Sequence, residues 1–122
     1  MPFKNEELTS KIIECVIKVH QILGPGFLEN IYRNALIIEL RKKGFTVEPE
    51  KEVRIYYLKD QIGKHRLDLL VNNQVVLELK NVDYLHPRNY AQLKSYLRAA
   101  SCKIGFLVNF ASTKAEFRRI DL

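Results

Sequence analysis

The sequence predicts a single mixed α/β domain: two helices first, then strands, then a closing helix and strand. Three observations carry this. Apolar residues recur at helical spacing from Leu8 to Leu40, β-branched and aromatic patterning takes over between Phe45 and Lys80, and the apolar run from Ile104 to Phe110 is short enough for a buried strand. A chain of 122 residues has room for one core and none for a separate recognition domain.

The first helix is expected to start at Asn5 as N-cap, with Glu6 and Glu7 at the positive end of its dipole. Leu8, Ile12, Val16, Val19 and Leu23 form its apolar stripe, and Gly24-Pro25-Gly26 stops it. Leu28, Tyr32, Leu36 and Leu40 line the second helix, which ends at Gly44 after the basic run Arg41-Lys42-Lys43. Val53 to Tyr57, His65 to Val71 and Val75 to Lys80 read as strands, separated by turn chemistry at Lys59 to Gly63 and at Asn72-Asn73. They belong to an antiparallel meander of up to four strands. Pro87 suits the first turn of a third helix that carries Tyr90, Leu93 and Leu97 inward. The predicted order is α-α-β-β-β-β-α-β. The basic segment from Ala111 to Leu122 shows no clear pattern, and repeats, low-complexity tracts and internal linkers are absent.

Composition excludes several classes. The chain is 47% hydrophobic and 28% charged, which is ordinary for a globular protein. No apolar run approaches the ~20 residues that cross a bilayer, and MPFKNEELTS carries charge where an export signal would be apolar. The expected location is cytoplasmic. Cys15 and Cys102 are too few and too far apart for a disulfide framework or a zinc cluster. Lys and Arg outnumber Asp and Glu by 20 to 14, a net charge of +6 that suits a polyanionic partner. Phosphate-loop, GxGxxG, HExxH and GxSxG signatures do not occur.

The chemistry concentrates in two strands. Alternation through Val75-Val76-Leu77-Glu78-Leu79-Lys80 puts Glu78 and Lys80 side by side on one face. Asp68 lies in the preceding strand among Leu67, Leu69 and Leu70, where a bare charge is costly to bury. A three-residue loop from Asn72 to Gln74 would set Asp68 directly opposite Glu78, with Cβ atoms ~5 Å apart. Two such carboxylates repel, and a divalent cation between them removes the repulsion. Mg²⁺ or Mn²⁺ on these oxygens can polarise a phosphodiester and acidify a bound water, which Lys80 is placed to orient. A salt bridge of Lys80 with Asp68 or Glu78 on a solvated sheet face is the alternative.

The D-x9-ExK pattern of Asp68, Glu78 and Lys80 resembles the active-site motif of the PD-(D/E)xK nuclease superfamily, with Leu67 where that family usually has Pro. LGPGFLENIY, ALIIEL, DLLV, LELK, AQLKSYL and GFLVNF resemble, in order, the GxxExxY protein family, which is similar to the RecB-like branch of that superfamily. The resemblance implies a restriction-endonuclease-like mixed β-sheet core flanked by helices. It also implies that Glu29 adds a third acid to the metal site. Local physics offers another reading, with Gly26 as N-cap and Glu29 as the N3 acid. Gln92 and Tyr96, four residues apart on one helix face, match the Q-x-x-x-Y motif of RecB-like nucleases, where both face the catalytic centre and hold the DNA strand.

The expected function is metal-dependent hydrolysis of DNA phosphodiesters. Asp68 and Glu78 would bind the metal, helped by Glu29 and the Leu79 carbonyl, and Lys80 would position water. Gln92, Tyr96, Arg118 and Arg119 would contact the strand. The rival is a non-catalytic module that binds nucleic acid or protein through its basic surface, and RNA is an alternative substrate. So short a chain suggests a homodimer or a partner protein. His20, His65 and His86 form no ligand pair at helical spacing, and His65 stands three residues from Asp68, so all three read as structural.

Overall fold

The computed structural model describes residues 4–122; residues 1–3, the start of the segment read above for an export signal, lie outside them. Its elements are α1 (Lys4–Leu23), α2 (Glu29–Lys42), β1 (Val47–Tyr57), β2 (Asp60–Val71), β3 (Val75–Lys80), α3 (Pro87–Ala100), β4 (Ile104–Asn109) and β5 (Glu116–Asp121). The strands form one sheet in the order β1-β2-β3-β4-β5. β3 and β4 run parallel, joined by α3 as a crossover, and the other neighbours are antiparallel.

This order corrects the expected one. Three strands, not four, precede α3, because Val47 to Tyr57 is one long edge strand. The fifth strand is β5, in the segment whose pattern was unreadable. Asn5 lies inside α1, a shift of the kind common at frayed helix ends.

Each sheet face carries its own core. On one, the α1 stripe of Leu8, Ile12, Val16 and Val19 joins Tyr32, Leu36 and Leu40 of α2 over Leu69, Val71, Leu77 and Leu79. On the other, Leu93 and Leu97 of α3 cover Leu67, Leu70, Val76 and Leu107. The helix sits close because β4 has Gly105 beneath it: a Cβ there would meet the Leu93 and Leu97 methyl carbons at 3.1 Å. α3 starts at His86, whose Nδ1 accepts from the Arg88 amide at 3.0 Å while the Asn89 side chain accepts from the His86 amide at 2.9 Å. Leu28, assigned above to the α2 stripe, instead precedes the helix and is 74% exposed.

Candidate active site

β2 and β3 pair as Val71↔Val75, Leu70↔Val76 and Leu69↔Leu77, with residues 72–74 in the turn. Asn72 and Asn73 take left-handed backbone (φ 52° and 55°), which asparagine tolerates well. The next step of this register sets Asp68 against Glu78. Among the described residues Asp68 has no ladder partner on either side, and its carboxylate supplies the connection instead: Oδ2 accepts the Leu79 amide at 2.7 Å.

At Asp68 the alternation of β2 breaks. Leu67 and Leu69 are two residues apart, yet Leu67 belongs to the α3-side core and Leu69 to the other. The strand opposite bends at the same level, with Glu50 left-handed (φ 53°) and also outside the ladder. Residues before Asp68 are thereby turned over. His65, read from the sequence as structural, lies on the α3 side with its ring stacked on Tyr96, centroids 3.6 Å apart and planes 9° apart. Its Nε2 is 3.6 Å from Glu78 Oε1.

Glu78 is 6% exposed on a strand otherwise buried in both cores, and its Oε1 has no hydrogen-bond partner among the described residues. Burial first, and then the negative charge of Asp68, push its carboxyl up to about 8, with Lys80 opposing. The same group of charges acts on its neighbours. Glu29 is raised by desolvation and by Asp68 and lowered by Lys80. Desolvation lowers His65 against the pull of Asp68, and desolvation and then Glu78 raise Tyr96.

Asp68, Glu78, Lys80, Glu29, Leu79 and Tyr96 thus gather at the carboxyl end of β3. A cleft of about 340 Å³ opens there, lined by Leu28, Glu29, Asn30, Arg33, Asp68 and Leu79. Glu29 is the first residue of α2, after an N-cap at Leu28, and so it is not the N3 acid of a Gly26-capped helix. Its loop is pinned twice: the buried Tyr32 hydroxyl donates to the Gly24 carbonyl and accepts from the Phe27 amide, and Asn81, next to Lys80, donates to the Phe27 carbonyl at 2.9 Å. Asn109 fixes the segment beyond Lys80, donating to the Val82 carbonyl at 2.8 Å and accepting from the Val82 amide at 3.1 Å.

Other expected contacts stand apart. Gln92 is exposed, one turn before Tyr96. Arg118 shares the α3 face in register with Leu107 and Glu78, two strand spacings (~10 Å) from the acid, and pairs with Glu116 at 3.2 Å. Arg119 points to the opposite face, where it binds Asp121, Glu6 and the Thr9 hydroxyl. It cannot contact a strand bound at Glu78 from there.

Among the described residues, no three His, Cys, Asp or Glu side chains are close enough to cage a metal unaided. The donor set still fits a hard divalent ion in kind. Mg²⁺ is commonly held by one or two carboxylates with several waters retained, and a buried, unpartnered carboxylate oxygen beside a second acid is what such an ion satisfies.

A family model described as the PD-(D/E)XK nuclease superfamily matches residues 6–120. The chain belongs to that superfamily. Two solved structures share its fold. The protein SSO0001 is 23% identical over 75% of this chain, with a TM-score of 0.59. This chain spans about half of that protein, 48% of its length. An alkaline exonuclease, LHK-Exo from Laribacter hongkongensis, is 11% identical, with 87% of this chain and 75% of the exonuclease covered and a TM-score of 0.53. No curated protein sequence matches. The expected restriction-endonuclease-like architecture, an open mixed sheet flanked by helices, is the one observed. No helix among the described residues is long and apolar enough to cross a membrane.

Proposed function

We propose that this chain is a metal-dependent nuclease that hydrolyses DNA phosphodiesters. The observation that carries the reading is Glu78: a carboxyl buried beside a second acid, with one oxygen unpartnered and its ionisation pushed up to about 8. Folding alone gains nothing from this arrangement. A Mg²⁺ or Mn²⁺ ion held by Asp68 and Glu78, with Glu29 and the Leu79 carbonyl as further donors, would neutralise the acids and supply Lewis-acid polarisation of a phosphodiester.

The protein groups then have separable tasks. Asp68 is locked by the Leu79 amide, so its free oxygen keeps a fixed direction. Lys80 directs the attacking water and offsets charge developing on the phosphate. Tyr96, backed by His65, presents one ring face and its hydroxyl to the strand, and Gln92 and Arg118 hold the strand further out. The Gly26–Tyr32 segment supports placement in the GxxExxY family and the RecB-like branch. The same reading takes residues 1–122 as one cytoplasmic domain that works as a homodimer or with a partner protein.

The test is incubation of wild type and Lys80→Ala with labelled DNA and RNA, with and without Mg²⁺ or Mn²⁺. Wild type should cut DNA only with metal, and Lys80→Ala should cut nothing while keeping its DNA affinity in Ca²⁺, because one phosphate contact among several is a small part of binding. If neither protein cuts any substrate, or both cut equally, a non-catalytic binding module on the same fold becomes the better reading.

A further inference from the structure

The contact between His65 and Glu78 is unusual for two polar groups so well enclosed. Nε2 of the imidazole and Oε1 of the carboxylate are both shielded from solvent, and neither has a hydrogen-bond partner among the described residues. They stand 3.6 Å apart, too far for a hydrogen bond and too close for a water between them. Asp68 Oδ2, close by, is taken by the Leu79 amide.

We propose that His65 is a metal ligand, sharing one ion with Glu78 and tilting the site from Mg²⁺ towards first-row transition ions such as Mn²⁺. This rests on the metal-site reading above and adds a donor to it. Two donors each about 2.1 Å from one ion lie 3.6 Å apart when they subtend about 118° at it, within reach of ordinary coordination angles after a small closure. The imidazole is already oriented, since stacking on Tyr96 fixes its plane. The two atoms stand within ion-pair distance but outside hydrogen-bond range. Imidazole is a borderline ligand that Mg²⁺ takes poorly, whereas transition ions accept it readily. Tyr96 then acts as a positioning residue for a ligand as well as a contact for substrate.

The experiment uses the full chain with Mn²⁺ and Mg²⁺ as probes. Calorimetry should show Mn²⁺ binding tighter than Mg²⁺ to wild type. His65→Phe, which keeps a flat ring against Tyr96, should lose about tenfold or more in Mn²⁺ affinity and change little towards Mg²⁺. Pulsed electron paramagnetic resonance of bound Mn²⁺ should show ¹⁴N coupling in wild type, altered by ¹⁵N-histidine labelling and absent in His65→Phe. The wild-type spectrum decides the matter even if the variant folds poorly. Mn²⁺ bound without nitrogen coupling, or equal losses for both ions, overturns the His65 assignment and leaves the carboxylate site standing. Failure of wild type to bind either ion overturns both.

Discussion

Replacing Glu78 by Gln should stabilise the metal-free protein at neutral and alkaline pH. The open chain ionises this carboxyl near 4.5 and the folded chain near 8. Between those values the folded state holds a proton that the unfolded state has released, so stability falls as pH rises through the window. The contribution is fully present below 4.5 and lost above about 8. At pH 7 the free-energy difference is at most about 3 kcal/mol, and relaxation of the site brings it to the order of 2 kcal/mol. For a chain of this size that is a melting shift of roughly 8 °C. Thermal and urea unfolding of both proteins in EDTA at pH 5, 7 and 8.5 would measure it. Wild type should weaken across the series, while Glu78→Gln should stay nearly level and be the more stable of the two at the upper end. Saturating Mn²⁺ at pH 8 should restore wild type and leave the variant unchanged. Parallel pH profiles for the two proteins would refute the account of Glu78 as a strained, cation-seeking acid.

Glu29→Gln removes a carboxylate raised by desolvation and by Asp68, so the metal-free melting temperature should stay level or rise while Mn²⁺ affinity falls severalfold by calorimetry; unchanged affinity would leave Glu29 outside the site. Tyr32→Phe leaves the ring stacked on Phe110 but strips the hydroxyl that joins Gly24 to Phe27. It should cost about 1–2 kcal/mol in urea unfolding with the denaturant slope unchanged.

Much of the site was readable because β-turn chemistry and alternation are local. Asn72 and Asn73 mark the turn, but the sequence leaves its length open between two and three residues; the three-residue turn found is what brings Asp68 to Glu78. β5 was not readable. In Glu-Phe-Arg-Arg-Ile-Asp two adjacent arginines spoil the alternation, and strand formation depends on pairing with β4 and on cations neutralised by Glu116, Asp121 and Glu6. The sequence shows strand pattern from Phe45 but does not join its first part to Val53–Tyr57, because charged residues and Pro49 interrupt it, although an edge position tolerates both. His65 has no ligand partner at helical spacing in the sequence, and its approach to Glu78 depends on an irregularity at Asp68 that strand alternation does not show. Pro49 and the unbroken apolar run around Asp68 were the available signs that regularity fails there.

The reversal at Asp68 also constrains how the sheet can assemble. An ordinary strand may slip by two residues and still present the same face, so its pairing is only partly determined. In β2, residues on either side of Asp68 answer to different cores, Leu67 to one and Leu69 to the other. Sliding by two would carry the reversal point away from the bend at Glu50 and drive a leucine or an acid into the wrong layer. β2 therefore has one productive alignment, and the acids are brought together by the same event that closes both hydrophobic layers.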